Sequence, residues 1–217
     1  GDLDGDNDLD ALVAMQCASP CSDGAHIWWN DGNAGFSHGG LLFRKPYVQE
    51  VALGDLDGDN DLDAFICLTD DTFSFQDHKV FLNDGAGTFT DSAQPLPVSG
   101  SCSQLALADI DSDLDPDVLI LHPDRRFSSL LNDGNAGFTA FAQFGTGSAG
   151  AYALGQALGD VDGDGFLDVV VASTRSSAHI WYNDGTGYFQ NVYQYLNPTF
   201  FYPFPVGLLP SSDVAVG

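Results

Sequence analysis

Asp55-Leu-Asp-Gly-Asp-Asn-Asp-Leu-Asp63 repeats Asp2-Leu-Asp-Gly-Asp-Asn-Asp-Leu-Asp10 letter for letter. Two variants follow, Asp109-Ile-Asp-Ser-Asp-Leu-Asp-Pro-Asp117 and Asp160-Val-Asp-Gly-Asp-Gly-Phe-Leu-Asp168, and the starts lie 53, 54 and 51 residues apart. A second signature trails each run: Asn30-Asp-Gly-Asn-Ala-Gly-Phe36, Asn83-Asp-Gly-Ala-Gly-Thr-Phe89, Asn132-Asp-Gly-Asn-Ala-Gly-Phe138 and Asn183-Asp-Gly-Thr-Gly-Tyr-Phe189. Two motifs in fixed order, four times over, define an internal repeat of about 50 residues.

Each repeat reads as strands. Val51-Ala-Leu-Gly54 leads into the Asp run, and Ala64-Phe-Ile-Cys-Leu68 leaves it as a continuous apolar stretch, the mark of a strand covered on both faces. Lys79-Val-Phe-Leu82 enters the Asn-Asp-Gly turn, whose residues tolerate positive φ, and Phe89-Thr-Asp91 leaves it. Capped helical periodicity is absent. The expected fold is all-β: one β-propeller domain over residues 1–217, with four four-stranded antiparallel blades at about 1–50, 51–104, 105–156 and 157–217. Residues 213–217 match the strand that precedes an Asp run, which blade 1 lacks. That strand is expected to complete blade 1 of the same chain or of a neighbouring molecule; a slice of a longer propeller is the third option.

Carboxylates at positions 1, 3, 5 and 9 of a nine-residue loop converge only if the chain curls, and Gly or Asn at positions 4 and 6 permits the curl. The expected ligands are Asp2, Asp4, Asp6 and Asp10; Asp55, Asp57, Asp59 and Asp63; Asp109, Asp111, Asp113 and Asp117; and Asp160, Asp162, Asp164 and Asp168. Position 7, occupied by Asp8, Asp61, Asp115 and Phe166, would add its main-chain carbonyl. An all-oxygen donor set without His or Cys selects Ca²⁺ or Mg²⁺, and a flexible, highly charged loop favours Ca²⁺. Position 12 holds Val13, Ile66, Ile120 and Val171, where an EF-hand needs Glu, so each loop joins two strands rather than two helices. The third loop departs most, with Ser112, Leu114 and Pro116 at positions 4, 6 and 8.

The charge of −25, from 31 acidic against 6 basic residues, argues against nucleic acid or an anionic membrane as partner. A hydrophobic content of 44% argues against disorder. No apolar run reaches the length of a membrane span, so membrane insertion is not expected. Gly1 opens the chain without an initiator Met or a signal-like segment, as in a processed product or a piece of a longer polypeptide. Of the four cysteines, Cys17 and Cys21 are expected to staple a hairpin loop, and Cys67 and Cys102 to be buried free thiols.

The Asp-x-Asp-Gly-Asp-x-x-x-Asp loop and the downstream Asn-Asp-Gly-x-Gly-x-Phe turn together resemble the FG-GAP/VCBS repeat family of integrin-α-like propellers, over essentially the whole chain. The resemblance implies calcium at a loop between the first two strands of each blade. It implies an extracellular, secreted or cell-surface setting and an adhesion, interaction or structural role rather than an enzyme. Such repeats also occur in accessory domains of carbohydrate-active enzymes, so a protein or glycan ligand is expected, or a second copy of the chain in a filament or surface layer. Family propellers usually have seven blades, where four repeats stand here.

Other constellations read as structural. His26 and His179 recur in Ala-His-Ile-Trp, and Trp28, Trp29 and Trp181 sit in the third strand of their repeats, as core residues would. Glu50 is the only Glu, so there is no paired-Glu acid–base arrangement. The aromatic and proline-rich stretch at 192–210 is expected to cap the array or to form a binding surface.

Overall fold

The computed structural model describes residues 1–15, 24–45, 47–68, 78–124, 126–145, 153–173 and 179–191. Among them there is no helix, and the strands form four antiparallel sheets. Sheet 1 holds β1 (Ala11–Met15), β2 (Gly24–Asn30) and β3 (Phe36–Phe43). Sheet 2 holds β4 (Val48–Gly54), β5 (Asp63–Leu68), β6 (Lys79–Asn83) and β7 (Phe89–Asp91). Sheet 3 holds β8 (Gln104–Ala108), β9 (Asp117–Leu121), β10 (Arg126–Asn132) and β11 (Phe138–Gly145). Sheet 4 holds β12 (Ala153–Gly159), β13 (Asp168–Ser173), β14 (His179–Asn183) and β15 (Phe189–Asn191).

Every sheet is an up-and-down meander, so the strand order follows the chain order. Among the described residues sheet 1 has three strands, and its Asp loop follows Gly1 directly. Gly1 still takes the place that Gly54 takes opposite Asp63, since Asp10 N–H donates to the Gly1 carbonyl at 2.7 Å. The strand in each four-stranded sheet that enters the Asp loop pairs with the strand that leaves it, as Gly54 with Asp63 and Gly159 with Asp168.

The second strands are the most buried. All of β5 and β9 is inaccessible to solvent, as expected for apolar runs covered on both faces. Three apolar clusters lie between successive sheets. Ala25 and Phe43 meet Ile66 and Phe81 in the first, Phe65 and Val80 meet Ile120 and Phe138 in the second, and Leu119 and Phe127 meet Val171 and Trp181 in the third. Trp181 is therefore core, as expected, whereas Trp28 and Trp29 are only half-buried.

Cys67 and Cys102 are joined in a disulfide, which corrects the expectation of two free thiols. The pair lies in the cluster between sheets 2 and 3. Cys67 is on β5, and Cys102 sits just before β8, where its N–H donates to the Leu68 carbonyl at 3.1 Å. That hydrogen bond aligns two cysteines 35 residues apart, and spacing alone does not reveal it. Cys17 and Cys21, the stretch 192–210 and the strand expected at 213–217 lie outside the described residues. Among the described residues no helix is long and apolar enough to cross a membrane.

Candidate metal centre

The curl of each Asp loop is organised by its first carboxylate. Asp2 accepts from Gly5 N–H at 2.8 Å and from Asn7 N–H at 2.9 Å. Asp55 does the same with Gly58 and Asn60, Asp109 with Ser112 and Leu114, and Asp160 with Gly163 and Gly165. Donating to one carboxylate requires positive φ at positions 4 and 6, and the chain supplies it at Gly58 (81°) and Asn60 (73°). The third loop keeps this shape with less suitable residues. Ser112 sits at 69° and Leu114 at 81°, and the Leu114 side chain is 88% exposed.

The last carboxylate of each loop ties it to the second motif. Asp63 is buried, and one oxygen accepts from Leu56 N–H at 2.9 Å while the other accepts from Asn83 N–H at 2.8 Å. Asp10 bridges Leu3 and Asn30, Asp117 bridges Ile110 and Asn132, and Asp168 bridges Val161 and Asn183 in the same way. Burial pushes Asp63 and Asp117 up to about 6, although the two backbone donors on each favour the ionised form.

Within each loop three carboxylates each place an oxygen within 4.8 Å of the other two. In sheets 2, 3 and 4 they come from positions 1, 3 and 9: Asp55, Asp57 and Asp63; Asp109, Asp111 and Asp117; Asp160, Asp162 and Asp168. In sheet 1 they are Asp2, Asp4 and Asp6. The position 5 residues Asp59, Asp113 and Asp164, and Asp10 of the first loop, lie outside these triads. Asp59, Asp113 and Asp164 each accept the N–H of position 7.

Position 7 side chains turn away from the triads. The carboxylates of Asp8, Asp61 and Asp115 and the ring of Phe166 lie over Gly32, Gly85, Gly134 and Gly185 of the Asn-Asp-Gly turns, where a Cβ would clash. That close approach explains the turn glycine, and it accommodates either a carboxylate or a phenyl ring.

The position 3 carboxyls carry the clearest electrostatic signature. Asp4, Asp57, Asp111 and Asp162 are all pushed above the usual carboxylate range, first by desolvation and then by neighbouring aspartates. One oxygen of Asp57 and one of Asp111 are buried without any hydrogen-bond partner. A buried, unpartnered carboxylate oxygen beside two other carboxylates is costly when ionised unless a cation offsets its charge. The donors are all hard oxygens, so these residues fit Ca²⁺ and offer little to a transition metal.

The FG-GAP-like repeat family model matches four times, at residues 2–66, 55–120, 109–171 and 160–209. The chain belongs to the FG-GAP-like repeat family. No curated protein is significantly similar to it. Successive FG-GAP matches overlap across the second, third and fourth Asp loops, where the strand entering the loop meets the strand leaving it.

Around these FG-GAP loops the structure adds roles that the sequence pattern concealed. Asp31, Asp84 and Asp133 of the turns each accept two backbone N–H groups, which holds Asp31 and Asp84 below the usual range. The only glutamate, Glu50 on β4, accepts Leu105 N–H of β8 at 2.6 Å, and burial pushes its carboxyl up. Histidines make structural contacts as well. His78 accepts Leu68 N–H, His122 joins the Ser101 carbonyl to the Ser128 hydroxyl, and His26 pairs with His38 where sheet 2 pairs Lys79 with Asp91.

Proposed function

We propose that this protein is an extracellular, calcium-stabilised propeller module whose sheets are blades and whose role is adhesion or ligand binding rather than catalysis. The observation that carries the reading is the buried, unpartnered oxygen of Asp57 and of Asp111, each inside a triad of carboxylates. A divalent cation there would neutralise the loop and rigidify the corner between two strands. Positions 1 and 3 would be its main ligands, with position 9 or 5 completing the protein's share and the position 7 carbonyl within the loop's reach. Sheet 3 would hold its ion as the others do, because the curl survives at Ser112 and Leu114.

Two further observations support the setting. The Cys67–Cys102 disulfide suits an oxidising compartment. Extracellular calcium modules bind at about 10⁻⁴ to 10⁻³ M, which external but not cytosolic calcium would satisfy. The ligand is a protein or glycan surface, for which an array of rigid sheets presents broad faces. Calorimetric titration of EDTA-stripped protein with Ca²⁺ and Mg²⁺, beside melting curves with and without chelator, tests the metal reading. Calcium heats with a large rise in melting temperature are expected; identical curves under both conditions overturn it.

A further inference from the structure

Each sheet ends on its last strand, and these edge strands differ. β7 and β15 are only 3 residues long, and β7 carries Asp91. β3 runs for 8 residues but contains Gly39 and Gly40 and shifts register twice. β11 also runs for 8, Phe138-Thr-Ala-Phe-Ala-Gln-Phe-Gly145, with no charge, no proline and a single shift at Phe141. It is anchored near both ends: Phe138 is buried, and Phe144 stacks on Phe127 at 5.0 Å. Between them Thr139, Ala140, Phe141 and Gln143 are exposed. β11 closes the order of sheet 3, and among the described residues no hydrogen bond from outside the sheet reaches it. A long, uncharged edge is a template for a further strand, and proteins usually blunt such edges with charge, proline or brevity.

A cleft of about 200 Å³ opens beside this edge, with Pro97, Val98, Leu130 and Ala140 among its walls. The serines that line it are already engaged. The Ser101 carbonyl accepts from His122 Nδ1 at 2.8 Å, and burial disfavours the charged form of His122. Neutral His122 therefore accepts the Ser128 hydroxyl proton on Nε2, also at 2.8 Å. Ser129 fills the bulge in the ladder, its hydroxyl accepting Ala142 N–H at 3.2 Å. With these hydroxyls occupied, the cleft suits an aliphatic side chain better than a sugar.

We propose that β11 takes up an extended peptide of a basic partner protein as an added strand of sheet 3, with one aliphatic side chain of the peptide in the cleft. Main-chain hydrogen bonds supply affinity in this mode, and the cleft supplies selectivity. The bulge at Phe141 interrupts the edge, which confines pairing to the short stretch beside the cleft. A basic peptide fits because the chain carries a charge of −25 and β11 contributes none of it. A second copy would bring the same negative charge and be repelled. The proposal names the ligand class for the ligand-binding reading above and does not rest on the metal.

Amide exchange on the full chain in calcium-containing buffer tests it. The probes are a peptide of alternating Val and Thr flanked by lysines, the same peptide flanked by glutamates, and the lysine peptide with its backbone amides N-methylated. The lysine peptide should protect β11, the glutamate peptide should do so less, and the N-methylated peptide should not. Ala140→Lys, which places a charge at the edge and in the cleft, should abolish the protection. Should that variant lose its fold, the N-methylated peptide still decides. Equal protection by the N-methylated peptide overturns the proposal, as does protection only away from β11 or none with any peptide. Protection of β11 that grows with protein concentration alone would make a second copy the occupant and overturn it too. A glycan array probed with the same sample separates the failures: glycan binding without peptide binding leaves the ligand-binding reading standing, and silence on both removes that reading as well.

Discussion

Asp63 and Asn83 are joined by a 2.8 Å hydrogen bond from a backbone amide to a buried carboxylate, and that bond couples the two motifs of the repeat. The acid that closes the loop thereby fixes where the next turn begins. Asp63 thus has a structural role whether or not a cation is bound, whereas one buried oxygen of Asp57 is left without a hydrogen-bond partner.

These two aspartates should therefore fail differently. Asp57→Asn should weaken calcium binding about tenfold or more while leaving the calcium-free melting temperature unchanged or raised, since it removes a repelled charge. Asp63→Ala strands two buried N–H donors and should cost about 2–4 kcal/mol even without calcium. Titration calorimetry and urea unfolding distinguish the two.

Stability without calcium should fall as pH rises. Asp63 and Asp117 sit near 6 when folded, above the ordinary value of 3.8, so the folded state holds their protons more tightly than the unfolded chain. Their contribution is fully present below about pH 4 and is lost as pH passes through about 6. Melting in EDTA should drop by several degrees between pH 4.5 and 7, on the order of 2–4 °C per kcal/mol. Saturating calcium should remove the trend, because the cation favours the ionised forms.

Leu114→Gly should stabilise the protein. The Leu114 backbone is left-handed at 81° and its side chain has little to lose in contact. Relieving a β-carbon in that region is worth about 1–2 kcal/mol, visible as a higher urea midpoint.

Glu50 offers a matched pair of variants. Glu50→Gln keeps an oxygen for Leu105 N–H and removes a carboxylate that burial disfavours, so stability at pH 7 should hold or rise. Glu50→Ala leaves that N–H unmet and should cost about 1–3 kcal/mol. Urea midpoints of the two should move apart.

The strands and the loop curl were legible because both are local. Alternation of apolar runs with Asp, Gly and Asn is set by residues within ten positions of one another, and the fourfold repeat confirmed the pattern internally. Leu114 was legible as a misfit for the same reason. What the sequence concealed is carried by contacts between sheets. The Asn83 amide meets Leu3, 80 positions earlier, and Cys67 pairs across 35 residues, where four cysteines allow three pairings. The structural role of Asp63 was hidden because a carboxylate that accepts backbone amides and one placed for a cation have the same letter.

The Cys67–Cys102 link distributes robustness unevenly along the molecule. By closing a 35-residue loop it lowers the entropy of the unfolded chain by an amount worth about 4 kcal/mol. That reinforcement acts where the second and third sheets meet, whereas among the described residues packing and hydrogen bonds join the first and fourth sheets to their neighbours. Under partial denaturation the middle of the molecule would persist as a covalently clamped nucleus from which the flanking sheets could reassemble.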